Sequence, residues 1–363
     1  MKLKVYGVTV SYYTGKLEAY LRYKGIDYDM EPPYSRASMI REKVGAIQIP
    51  IVERDDGRWM SDSTPIILQL EKEFTAPSIL PEDPVVRFIA YLIEDYADEW
   101  LWRAAMHYRW SYEHDRALLS RILVDEVTQH VRSPRWLKLR MIAKRQRTGF
   151  VINDGVTAST RDHVEAGYLN ALENMTQLLR HRPFLLGTGP SIADIGMMGP
   201  MLRHFGQDPT PAEIMRNKAP YVFDWLSRVW NARETVSIPA FVNKIPEEMS
   251  PFLKEIAETH LAQLAHNAIA YRDKEAHFEM TVQGCHYRNL PVSRYRVHCL
   301  EVLRERYAEL DDSKKHAVKE LLPYPEAKVV WENVPAAESG YDIEKMAPYN
   351  KAINVYGDGV PGP

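Results

Sequence analysis

Two short runs within the first seventy residues carry residue types suited to holding a peptide. Gln48-Ile49-Pro50-Ile51-Val52 puts a proline at the opening of a strand. There the X-Pro bond can be cis, and the residue before it keeps its N–H and C=O free to pair with an extended ligand. Ile49 would then bind through its backbone, not its side chain. After a hairpin comes Ser61-Asp62-Ser63-Thr64-Pro65, in which Ser63 stands where a helix begins. Its hydroxyl and the unsatisfied amides of the first turn suit a carboxylate, helped by the helix dipole. Asp62 beside it offers a negative charge to an amine. Together the runs read as a site for the α-amino-acid end and backbone of a peptide-like ligand. Each residue also has a structural reading, Pro50 as strand entry and Ser63 as N-cap.

The elements that must position these residues follow from pattern. Leu3 to Val8 is an apolar, β-rich stretch, Gly15 to Lys24 has helical spacing (Leu17, Tyr20, Leu21), and Asp27 to Glu31 is an extended run stopped by Pro32 and Pro33. Ile47 to Glu53 and Arg58 to Ser61 are strands around Asp55-Asp56-Gly57, where glycine accepts the positive φ of a tight turn. A helix from Pro65 to Phe74 follows, giving the order β-α-β-α-β-β-α over residues 1–80. A proline-rich connector (Pro77, Pro81, Pro84) then marks a boundary. Residues 85–232 are read as an all-helical domain, with helices over 85–112, 115–146, 159–181, 192–206, 211–217 and 220–232. In the extension, 233–363, Ser250-Pro251 is expected to open a helix with Ser250 as cap, and Phe278 to Tyr287 to form a hairpin around Gln283-Gly284. Ser293 is expected to cap a helix with Val297, Leu300, Leu303 and Tyr307 on one face.

Composition narrows the function. Across 363 residues, 46 Lys and Arg face 49 Asp and Glu for a net charge of −3, a balance that argues against a nucleic-acid partner. No run of 18 apolar residues occurs, and Met1 to Tyr6 lacks a signal peptide's apolar core, so no membrane partner and a cytoplasmic location are expected. Two cysteines, Cys285 and Cys299, make neither a disulfide framework nor a cysteine zinc site. His107 and His114, seven apart with no third ligand nearby, are a weak metal signal, and no metal is expected. From Glu126 to Asp154 there is no acidic residue between, while Arg132, Arg135, Lys138, Arg140, Lys144, Arg145 and Arg147 are basic. That stretch reads as a solvated face first and an attractor of anions second.

The strand, helix, Ile-Pro, hairpin and Asp-Ser before a helix resemble the glutathione-binding, thioredoxin-like domain of the cytosolic glutathione transferases. A second motif about 130 residues on agrees: Pro183-Phe184-Leu185-Leu186-Gly187, then Pro190-Ser191-Ile192-Ala193-Asp194-Ile195, is similar to that family's signature for a buried helix, with Ser191 and Asp194 as a capping box. The resemblance covers roughly residues 2–232. It implies a homodimer that binds glutathione as co-substrate in the first domain and a small apolar electrophile between the domains, often in detoxification. The thiol of glutathione, near pKa ~8.5, needs a hydroxyl donor beside it to become a thiolate. In many members this is a serine or cysteine five residues before a basic position, and counting back from Lys16 gives Ser11, with Tyr12 and Tyr13 as substitutes. The absence of a cysteine there excludes the cysteine-type reductases.

The resemblance assigns Gln48, Ile49, Pro50, Asp62 and Ser63 to glutathione; Arg41 and Lys43, which by charge could neutralise its terminal carboxylate, also read as a solvated helix face. The helix bearing Tyr91, Tyr96, Trp100, Trp102, His107, Tyr108, Trp110 and Tyr112 reads by spacing as core or dimer packing. The family places it along the co-substrate cleft, which selects Trp102 and Tyr108. The extension is expected to cover the cleft mouth or part of a dimer surface. Two rival readings keep the fold: a binding protein without chemistry, and a glutathione-dependent isomerase or lyase.

Overall fold

The computed structural model describes residues 2–234, 239–332 and 338–352. Strand β1 (Lys2–Tyr6) buries Leu3 and Val5 on one face; on the other, Lys2 is exposed while Tyr6 is buried with Ile40, Val44, Ile47 and Ile51. Helix α1 (Tyr12–Tyr23) crosses back so that β2 (Asp27–Glu31) pairs parallel with β1, Val5 opposite Met30. After α2 (Ala37–Val44) come the hairpin strands β3 (Ile51–Glu53) and β4 (Trp59–Ser61), with Gly57 at φ 81° in the turn. The sheet order is β2-β1-β3-β4, the last two pairings antiparallel, and α3 (Ser63–Glu73) closes the unit. This is the expected thioredoxin-like α/β arrangement.

A helical body follows. Asp83 caps α4 (Pro84–Glu99), accepting from the Val85 and Val86 amides. The helix predicted over 85–112 breaks at Trp100 into α4 and α5 (Leu101–Ser111). The one predicted over 115–146 divides into α6 (Glu113–Val127) and α7 (Arg135–Arg147), because Pro134 disfavours helix at the residue before it. A wider-wound turn at Thr148–Ile152 leads on to α8 (Arg161–Leu179), α9 (Ile192–Pro200), α10 (Pro209–Lys218) and α11 (Pro220–Asn231). Helix α9 is wholly buried against α4 and α1. A Cβ on Gly196 would stand 2.8 Å from the Glu94 Cα, so only glycine permits this approach.

The extension contains α12 (Ser250–Ile256), α13 (Ala262–Arg272), the hairpin β5 (His277–Val282) and β6 (Cys285–Pro291), α14 (Arg294–Ala308) and α15 (Asp312–Leu321). Gln283 and Gly284, at φ 48° and 79°, make the hairpin turn as expected. Ser293 caps α14 as expected. Ser250 caps nothing: helical turns already begin at Glu247, which moves the serine inside the first turn. Helices α14 and α15 pack on α4, with Tyr307 edge-on to Phe88 and Arg306 3.6 Å above the Tyr91 ring. The chain then returns to the first unit, where Pro348 accepts from the Ser61 amide at the sheet edge and Ala352 donates to the Val44 carbonyl.

Candidate functional site

One cavity of about 440 Å³ gathers residues from all three parts of the chain. From the first unit come Ser11, Tyr12, Tyr13, Gln48, Ile49, Pro50, Asp62 and Ser63; the Ile49-Pro50 bond is cis, and Ile49's N–H and C=O take no partner among the described residues. The helical body adds Trp102, Met106, Phe150 and Arg145. The extension adds Val292, Ser293, Tyr295, Arg296 and Tyr341.

Ser11 caps α1, its Oγ accepting from the Thr14 amide at 3.3 Å. Accepting leaves the hydroxyl proton available to donate, so capping and a role at the cavity wall are compatible. The two tyrosines after it are differently placed. The Tyr12 phenol is buried and donates to the Ala97 carbonyl, and burial pushes its pKa well up. Tyr13 donates to the Asp98 carbonyl at 3.1 Å and stacks on Trp102, ring centroids 5.5 Å apart. A phenol has one proton, and in both it already has an acceptor.

Lys16, the basic position used to locate Ser11, is fully buried. Its ammonium meets Thr64 Oγ1 at 2.8 Å, Asp98 Oδ2 at 2.5 Å and Glu94 Oε1, tying α1, α3 and α4 together beneath the site. Burial works against its charge, but Asp98 and Glu94 outweigh that and hold its pKa above the usual lysine value. Asp62, at φ 73°, ends the loop before α3 and receives the Tyr295 phenol at 2.9 Å. Burial raises its pKa, and the Tyr295 hydrogen bond pulls against that rise. Arg296 meets Glu99 Oε2 at 3.2 Å and Asp154 Oδ1 at 3.5 Å, and the two carboxylates keep its charge favoured against burial.

Several expected residues lie elsewhere. Tyr108 does not line the cavity: it is buried against Tyr112, Tyr168 and Phe205, because six residues beyond Trp102, about 1.7 turns, bring its side chain to a different side of the helix, into the helical core. Arg41 and Lys43 are exposed on α2, away from the cavity wall. Of the basic run only Arg145 reaches the cavity. His107 is buried between Ser111 and Glu165 while His114 is exposed on the next helix. Among the described residues no group of three or more His, Cys, Asp or Glu is arranged to hold a metal, and no helix is long and apolar enough to cross a membrane. Tyr295, Arg296, Tyr341 and Glu99 also line the cavity and carry no local sequence signal for it. The Ser293 cap located α14, but nothing local told where that helix would dock.

Residues 5–78 match the family model described as glutathione S-transferase, N-terminal domain. Among solved structures, the chain is similar to a glutathione S-transferase from Methylobacterium radiotolerans in complex with glutathione sulfonate (18% identity, 68% of this chain and 99% of that one, TM-score 0.40). It is similar to the beta-etherase LigF from Sphingobium sp. strain SYK-6 (21%, 70% and 100%, TM-score 0.45). A third is the Tau class glutathione S-transferase of mango, Mangifera indica (19%, 70% and 98%, TM-score 0.40).

Proposed function

With its first domain a member of the glutathione S-transferase N-terminal family, we propose that this chain binds glutathione and activates its thiol for attack on an apolar electrophile. The observation that carries the reading is the convergence of Ser11, the cis Ile49-Pro50 bond and Asp62-Ser63 on one cavity with an aromatic wall at Trp102. In this reading the Ile49 backbone pairs with the cysteinyl residue of the tripeptide and Gln48 touches its backbone or glycine end. Ser63 and the amides opening α3 hold the γ-glutamyl carboxylate. Asp62 faces the ammonium. The Ser11 hydroxyl donates to the sulfur and favours the thiolate, whose proton passes to water. The sulfur then bonds to the electrophilic carbon as the bond to the leaving group breaks with its electron pair. Trp102, Met106 and Phe150 offer that electrophile apolar surface.

Action in the cytoplasm and as a homodimer belongs to the same proposal. Because the extension covers α4, a second copy would dock on another surface. Titration calorimetry with glutathione, run beside a panel of electrophiles followed by thiol consumption, tests the reading. Binding with turnover supports it, binding without turnover favours a carrier, and no binding leaves only the fold. Ser11→Ala is expected to lower turnover by about 10–100-fold, the worth of one hydrogen bond to a charged sulfur, and to leave glutathione affinity within about twofold.

A further inference from the structure

The carboxylate assigned to the ligand's ammonium is held by a side chain from outside the two domains that resemble known transferases. Asp62 Oδ2 accepts from the Tyr295 phenol at 2.9 Å, whereas Oδ1 has no hydrogen-bond partner among the described residues, and both residues line the cavity. Building on the glutathione reading, we propose that Tyr295 is a positioning residue: it fixes the Asp62 carboxylate where the α-ammonium of a γ-glutamyl peptide arrives, so that the peptide site is complete only with the extension in place.

The position of Tyr295 is determined from several sides. It is the second residue of α14, whose start is pinned by the Ser293 cap on the Arg296 amide and by a two-way pairing of Ser293 with Asn267, at 2.7 and 2.8 Å. Its ring packs edge-on to Tyr341 with centroids 5.1 Å apart. Next to it, Arg296 is anchored on Glu99 and Asp154. A phenol held this firmly restricts the carboxylate rotamer and selects which oxygen faces the cavity.

The electrostatics give the hydrogen bond a second effect. The groups acting on Asp62 are Tyr295 and His298 from α14, Lys16 from α1 and Glu94 from α4. Burial and Glu94 favour the neutral acid; the Tyr295 phenol, Lys16 and His298 favour the carboxylate. Burial, then Asp62 and the neighbouring Cys299, Tyr341 and Glu99, keep the Tyr295 pKa well above its ordinary value, so the phenol stays a donor. Without it, burial meets less opposition, the Asp62 pKa rises further, and the carboxylate loses charge at a higher pH. Ammonium binding should then weaken more at pH 6 than at pH 8.

The test uses the full chain and S-methylglutathione, whose blocked thiol removes Ser11 from the measurement, and compares it with the deaminated analogue glutaryl-(S-methyl)cysteinyl-glycine. Tyr295→Phe is expected to weaken S-methylglutathione about tenfold at pH 6 and less at pH 8, with the deaminated analogue bound equally by both proteins. Asp62→Asn, which leaves the Tyr295 packing alone, is expected to weaken S-methylglutathione at both pH values and not the analogue. An unchanged S-methylglutathione profile in Tyr295→Phe, or an equal loss of both ligands, overturns the proposal. Failure of the unaltered protein to bind S-methylglutathione overturns the glutathione reading itself, and this inference with it.

Discussion

The chemistry proposed for Ser11 depends on a neighbouring residue that never touches the ligand. Lys16 lies beneath the first turn of α1, its charge shared by Glu94 and Asp98, both on α4, and by the Thr64 hydroxyl at the start of α3. Burial pushes the Asp98 carboxyl well up against the pull of Lys16, with Glu94 adding to the rise. Two acids and one base in a dry pocket hold together only while the base is present. Lys16→Met removes it and leaves the two carboxylates facing each other. The expected cost is about 3–5 kcal/mol in denaturant unfolding, with the helices that carry Ser11 and Ser63 loosened together. A loss below 1 kcal/mol would mean that α1, α3 and α4 are held by packing alone.

At the level of elements, α9 is the helix on which the body is assembled. Asp194 completes the capping box at its start and does more than cap. Its Oδ2 accepts from the Ser191 amide and hydroxyl, and its Oδ1 from the Leu185 amide and the Trp225 indole, all buried. One carboxylate thus satisfies the loop before the helix and the ring that packs α11 onto it. Asp194→Ala strands these donors without water, so the expected loss is about 3 kcal/mol or more. Amide hydrogen exchange would report it first over residues 183–200. Protection unchanged from the parent protein would show that the donors find other partners.

For the molecule as a whole, the extension is part of the core. Tyr307 closes on Phe88, Phe252 lies edge-on to Tyr96 with centroids 5.6 Å apart, and Arg306 covers Tyr91, so most of the outer face of α4 is roofed by residues beyond 245. Deleting residues 245–363 would expose these aromatics and open the side of the cavity lined by Val292, Ser293, Tyr295, Arg296 and Tyr341. The expected product aggregates on size-exclusion chromatography and binds no glutathione. A soluble, active remainder would show that the extension is an appendage.

The first eighty residues were legible because every device there is local. A strand reads by alternation, a tight turn by Asp-Gly, and a cis-capable proline by its place before a strand. These fix backbone geometry over a few residues wherever the chain folds. The candidate peptide site, built from such devices on consecutive elements, was legible with them, and so were the β5–β6 hairpin and the Ser293 cap. The opposite wall was not. Tyr295 and Arg296 meet Asp62, Glu99 and Asp154 across separations of 142 to 233 residues, and whether Tyr108 or Trp102 faces the cavity is a matter of which side of α5 the neighbouring helices cover. Periodicity says that a helix has a buried face but not what buries it, because apolar contact is non-directional and any matching surface would serve. The sequence by itself therefore determined the fold class and the first-unit wall of the candidate site. Only tertiary packing decided that the chain's own extension, through Tyr295, Arg296 and Tyr341, joins the helical body in closing the cavity.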